Sequence, residues 1–190
     1  VSTSSTDSDA FGDLYQWGRA TDGHQKRGSE ITGNLEDTNI VESGEFITPI
    51  SSPYDWRMPQ NDNLWQQSED LNNPCPLGYR LPTQVEWAAE RQSWGSNDKD
   101  GAFASPLKLT VGGNRYYHGS IGSDGYNGYY WSSSVSGTKA IRLVISDSNA
   151  AIATSFRAMG NSVRCRRDGF SLKIGIEGNG MVDPIGGTYD

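Results

Sequence analysis

Cysteine and histidine are scarce in this chain, with two of each in 190 residues. Cys75 and Cys165 are too few for a structural zinc site without histidine partners, and His24 and His118 do not stand at ligand spacing. No metal or other cofactor is therefore expected. No apolar run approaches the ~18–20 residues needed to cross a membrane as a helix, so no transmembrane segment is expected. Basic residues are outnumbered 16 to 23, for a net charge of -7. A general nucleic-acid binder carries a basic surface, so nucleic acid is not an expected partner. Only 34% of residues are hydrophobic, which argues against a helical bundle.

Glycine and large aromatics are plentiful: 23 Gly, six Trp and nine Tyr. The length suits one domain with a proper core, and the mix suits short strands, many turns and an aromatic interior. The polar opening VSTSSTDSDA lacks a starting Met, as expected of a processed or trimmed chain, and residues 1–10 are expected to be flexible. Residues 11–20 read as a strand. Residues 21–60 read as a long ordered loop pinned by Phe46, Tyr54 and Trp56, and 61–67 as a helical turn or two.

The segment LPTQVEW predicts a helix over 84–93. Thr83 stands at the N-cap and Glu86 three residues on, a capping box, with Val85, Ala88 and Ala89 as the apolar face and Trp87 or Trp94 at its flank. Loop character returns over 95–128, with a strand expected at PLKLTV (106–111). From Tyr129 the pattern is β: YYWSSS, KAIRLVI (139–145), NAAIATSF (149–156) and NSVRCRR (161–167), with SLKIGIEG (171–178) as a further candidate. These read as an antiparallel meander.

Motifs of chemistry are few. His24 and His118 lie in Gly-rich loops without a nucleophile motif, and read as ordinary loop histidines. Glu86 and Glu90 read as a helix cap and a solvated neighbour. SNDKDG (96–101) offers Asn97, Asp98 and Asp100, but Leu107 stands where an EF-hand-type loop needs its distal acid. Arg164, Arg166 and Arg167 read as an exposed strand face paired with acidic neighbours. The two cysteines leave two readings open. They are buried free thiols, or a disulfide closing a loop of about 90 residues, nominally worth roughly 4–5 kcal/mol in the chain-entropy account.

From the Asp124–Gly125 turn to the last strand there are many Tyr, Ser, Thr and Asn residues: Tyr126, Asn127, Tyr129, Ser134, Ser136, Thr138, Ser146, Ser148, Asn149, Thr154, Ser155 and Asn161. Turns favour several of these types, but so do adaptable binding surfaces, where Tyr supplies contact area and Ser or Asn supplies flexible hydrogen bonding.

Three stretches taken in order, NNPCPLGYRLPTQVEW, GYYWSSS and GNSVRCRRD, resemble the major paralogous domain first described in Fibrobacter succinogenes. RLPTQVEW is similar to the RLPTEAEW motif of formylglycine-generating enzymes, and LYQWGRATDGH (14–24) to the family's N-terminal segment. The resemblance spans about 11–168 and leaves 169–190 as a C-terminal strand or tail extension. It implies an α+β domain of C-type lectin-like fold, with short antiparallel sheets, one or two helices and long ordered loops. It also implies that Cys75 pairs with Cys165, and hence a protein that matures outside a reducing compartment. The formylglycine-generating relatives use groove cysteines; here both cysteines fall in scaffold motifs, which argues against that oxidase activity.

C-type lectin folds of this type serve as variable proteins of diversity-generating retroelements. The resemblance therefore implies a ligand-binding display protein, extracellular or on a cell or virion surface. Residues of about 124–167 would vary, and the twelve named above would meet a protein or surface-glycan ligand without catalysis. The rival expectations are a fixed adhesin or cell-envelope module and a degenerate enzyme of the formylglycine-generating type.

Overall fold

The fold is taken from a computed structural model that describes residues 2–169. The strand suggested over 171–178, and the tail beyond it, lie outside the described residues. The remainder is α+β, dominated by strands. In chain order the elements are β1 (Tyr15–Gln16), β2 (Ile31–Thr32), β3 (Phe46–Ile47), β4 (Tyr79–Arg80), α1 (Gln84–Gln92), α2 (Lys99–Ala104), β5 (Gly112–Arg115), β6 (Ile121–Asp124), β7 (Gly128–Ser136), β8 (Lys139–Ile145), β9 (Ala150–Phe156), β10 (Gly160–Asn161) and β11 (Arg166–Arg167). Seven strands make the main sheet, in the order β1-β10-β5-β7-β8-β9, with β6 attached to β5. The expected meander is its β7-β8-β9 portion, antiparallel throughout.

Alternation along KAIRLVI gives that sheet two buried layers. Leu143 and Ile145 point with Tyr130 into one core, which Trp87 of α1, Ala102 of α2, Leu109 and Val111 complete. Trp131 and Ala140 point to the other side, into a core with Trp17, Trp56, Trp65, Leu64 and Leu81. A side-chain period of two explains how one strand serves both layers.

Buried indoles need a partner for their N–H, and here backbone carbonyls supply it. Trp56 donates to Trp17 O at 2.7 Å, and Trp17 to Ser132 O at 2.9 Å. Trp65 donates to Asn72 O at 2.6 Å. The long loop of 21–60 is thus pinned through Phe46 and Trp56, both buried, with only β2 and β3, a short parallel pair, as regular structure.

Helix α1 forms where expected, and its capping box is complete: Thr83 Oγ1 accepts from Glu86 N, and Glu86 accepts from Thr83 N at 2.7 Å. Its inward face is not the expected one. Val85 is 76% exposed and Ala89 is also exposed, whereas Trp87 is buried. The larger apolar area of the indole decides which side of the helix turns to the sheet.

Other expectations are corrected. Only Tyr15–Gln16 of 11–20 is strand, because Gly18 and the turns after it end the pairing. PLKLTV is not a strand; the β segment starts at Gly112, where Gly113 (φ +69°) passes so close to β6 that a Cβ would lie 2.4 Å from Gly122 O. Residues 61–67 form turns without a helix, and 95–104 contain α2 rather than loop alone. NSVRCRR is not one strand. After Asn161 and a single bridge at Ser162 the chain leaves the main sheet, and Arg166–Arg167 pair with β4.

That departure carries Cys165 to Cys75, and the two form a disulfide across 90 residues. Cys75 packs against the tryptophan core, while Cys165 is exposed. The prolines on either side restrict the backbone at Cys75, and Asn73 Oδ1 accepts from its N–H at 3.1 Å. No helix among the described residues is long and apolar enough to cross a membrane. At the N-terminus, Ser5 is buried and its carbonyl accepts from Val111 N at 2.8 Å.

Candidate binding face

The two histidines and the acidic loop have local duties. His24 is fully buried; its Nε2 accepts from Gln16 N at 3.0 Å, so Nδ1 carries the proton shared with Asp22 at 2.6 Å. Burial above all, with Arg19 and Arg115 adding to it, pushes the imidazole down to about 4, although Asp22 opposes the shift. His118 stacks on Tyr116, and its Nδ1 lies 3.2 Å from the Ser120 hydroxyl. Asp98 is the N-cap of α2 and accepts from Asp100 N and Gly101 N. Glu86 is paired with Arg80 at 2.7 Å, and Arg166 also contacts it. Hydrogen bonds from Arg80 first, then the bond from Thr83, hold its carboxyl down at about 2. Among the described residues no group of three or more His, Cys, Asp or Glu is placed to hold a metal ion.

The twelve candidate residues do not form one patch. Tyr126, 72% exposed, and Asn127 sit in the turn between β6 and β7. Ser136 and Thr138 are exposed at the β7–β8 hairpin, and Ser134 is half-buried and accepts from Gln84 N at 2.9 Å. Ser146, Ser148 and Asn149 form the β8–β9 turn at the opposite end of the same strands, where Asn149 Oδ1 accepts from Asn97 Nδ2 at 2.8 Å. Asn161 is fully buried and Ser155 nearly so.

Around Arg142 the sheet gathers four of the twelve: Tyr129, Thr154, Ser155 and Asn161. Register places Tyr129 opposite Val144 and Arg142 opposite Ala153, so Tyr129, Arg142, Val144, Ala151 and Ala153 share one half-exposed face. The Arg142 guanidinium lies 4.3 Å from the Tyr129 ring centroid, and its Nη1 donates to Asn161 Oδ1 at 3.1 Å. Beside it opens a pocket of about 280 Å³, lined by Tyr116, Tyr117, Lys139, Arg142, Thr154, Ser155, Phe156 and Met159. Its aromatic wall is mutually supported: Tyr117 meets Phe156 edge-on at 5.9 Å and Tyr54 at 4.5 Å, and Tyr116 stacks on His118 at 5.3 Å.

Arg142 is the unusual member. Burial pulls its guanidinium below the ordinary arginine value, though an arginine keeps its charge. No carboxylate among the described residues forms an ion pair with it or with Lys139. Its Nε, with Asn114 Oδ1 and Asn161 Nδ2, has no hydrogen-bond partner there either. A desolvated cation with a spare donor is costly unless something compensates it, and the Tyr129 ring does so only in part.

Tyr116, Tyr117, Lys139, Arg142, Phe156 and Met159 are not among the expected site residues. The signals that point to them are the YY pair of NRYYHGS and the arginine inside KAIRLVI, on the Ala140 and Val144 side. A larger concavity, about 580 Å³, is built wholly from residues 38–72 and includes none of the candidates. No family model matches the chain, and neither a curated protein nor a solved structure matches it.

Proposed function

We propose that this domain is a ligand-binding display protein of C-type lectin-like fold, extracellular or surface-displayed, with a region of about 124–167 diversified by a retroelement and no chemical step. Its ligand is a protein or a surface glycan. The observation that carries the reading is the division of labour along β7, β8 and β9. Trp131, Ala140 and Leu143 are fully buried framework, while Tyr129, Arg142 and Thr154 stand at least partly open on the same strands. Tyr129 and Arg142 share a sheet face with the buried Trp131 and Ala140, but their side chains reach solvent beyond the edge of that core, so they can change while the framework positions stay. The disulfide and the buried indole bonds hold that scaffold from outside the exchanged positions, and the disulfide suits an oxidising compartment.

Sequencing the 3′ third of this gene across its source population tests the reading. Substitutions concentrated at adenine-bearing codons of half-exposed Tyr129 and exposed Ser136, Ser148, Asn149 and Thr154, with Trp131, Leu143 and Cys165 constant, are the expected result. Substitutions spread evenly over buried and exposed positions overturn diversification and favour a fixed adhesin.

A further inference from the structure

Three features compete for attention outside the framework. The 38–72 concavity exposes Ile40 and Leu71, but nothing identifies what would cover them. The buried Asp55–Arg157 pair is enclosed by Asp62, Gln60 and the Gly137 carbonyl, and reads as structural support for the loops it joins. The pocket beside Arg142 goes further.

We infer that this pocket takes a carboxylate carried by an apolar peptide segment, with the carboxylate at Arg142 and Lys139 and the apolar side chain against Tyr117, Phe156 and Met159. The inference rests on the binding-face reading and names its ligand class. Two cations line one small pocket, and no acidic side chain among the described residues neutralises either. The arginines that are nearly or fully buried here have a carboxylate or backbone carbonyls as partners. Arg19 bonds Asp22 and Glu45 O, Arg157 bonds Asp62, Arg57 bonds three carbonyls and Arg115 bonds Gly119 O and Ser29 O. Arg157 and Arg142 both keep an unpartnered Nε, but Arg142 has no carboxylate partner, makes its one side-chain hydrogen bond to Asn161, and lines an opening.

A carboxylate is the acceptor that matches a guanidinium edge, and a partly desolvated site strengthens the bond. The volume, about 280 Å³, suits one side chain rather than an extended polyanion. The net charge of -7 also opposes a polyanion, since only local cations attract it. The walls favour an apolar side chain over a sugar: three aromatic rings and a methionine, with Thr154 and Ser155 supplying the hydroxyls.

The test is an NMR titration of the full chain with three probes: N-acetyl-phenylalanine as the free acid, its neutral amide, and glucuronic acid. The Arg142 Nε–H signal and the ring signals of Tyr116 and Tyr117 are followed. The free acid is expected to shift them at millimolar concentration, with the amide weaker by about tenfold or more, the size of a charge-assisted hydrogen bond. Arg142→Gln should abolish the difference between acid and amide. Lys139→Gln, at the strand margin, should weaken the acid alone and serves if the first variant unfolds.

Equal binding of acid and amide, or an acid response unchanged in both variants, overturns the carboxylate assignment. Response to glucuronic acid without response to the peptide-like acid overturns the peptide in favour of an acidic glycan. Silence toward all three probes overturns the inference alone, because the binding face is judged separately by the distribution of substitutions in the gene.

Discussion

The indole N–H of Trp87 donates to the backbone carbonyl of Trp131 at 3.0 Å, and the indole N–H of Trp131 donates in turn to the carbonyl of Tyr15 at 2.7 Å. Helix α1, central strand β7 and edge strand β1 are tied in series by two side chains from opposite cores. Both rings are essentially buried, and the bond from Trp87 is shielded from water at both ends. The relay fixes the sheet's two layers against each other, beneath the face proposed to bind.

Trp87→Phe keeps an aromatic ring in the helix-side core and removes the donor. It is expected to cost about 1–2 kcal/mol, combining the lost bond with the smaller ring. Urea unfolding measures it. A loss near zero would mean that the Trp131 carbonyl is satisfied without the indole.

The disulfide should be reducible without denaturant, because Cys165 is exposed. Reduction, or Cys75→Ser together with Cys165→Ser, is expected to lower stability by roughly 2–5 kcal/mol. Melting temperature with and without reductant checks this. The double variant should match the reduced protein and show no further response to reductant.

Stability should fall with acid in two stages. In the unfolded chain a histidine binds its proton near its ordinary value of 6.5, whereas buried His24 resists until about 4. Between those values the unfolded state holds the extra proton, so folding weakens as pH drops through that window, by roughly 3 kcal/mol in all. Glu86, held at about 2 against 4.5, adds a second loss as pH falls through its own window. Urea midpoints from about pH 7 down to about pH 4 should decline in the wild type and decline less in His24→Gln. Equal slopes would acquit His24.

Glu86 does two jobs that substitution can separate. Glutamine can still accept from the Thr83 N–H but cannot pair ionically with Arg80 and Arg166. Glu86→Gln is expected to cost about 1 kcal/mol, since the ion pairs are partly open to water, and Glu86→Ala about 2 kcal/mol, since the cap goes too. Circular dichroism during thermal unfolding reads both. Equal losses would assign the whole effect to charge.

Randomising Tyr129, Ser136, Ser148, Asn149 and Thr154 together should leave most members of a library folded, with melting temperatures close to the parent. Randomising Trp131, Ala140 and Leu143 should leave few. Protease resistance of the displayed libraries distinguishes the two. Comparable survival of both would remove the basis for separating framework from binding face.

Local signals along the chain determined a good deal. Thr83 and Glu86 specify the start of α1 because a capping box closes within four residues. Alternation specifies β7, β8 and β9 because the period of two needs only neighbouring positions, and the abundance of Trp, Tyr and Gly specifies an aromatic, loop-rich interior. What they could not determine is which way each element turns and what it meets. Trp87 rather than Val85 faces inward because the larger indole gains more by burial against the sheet. PLKLTV fails as a strand because pairing partners exist only from Gly112 onward. Ser155 and Asn161 look like surface residues in sequence but are buried by tertiary packing, as where Asn161 pairs with Tyr15 from the far end of the chain. Arg142, Tyr117 and Met159 come together from three separate strands and turns. Their shared pocket depends on sheet order and register, which are set by long-range packing and not by any local stretch of residues.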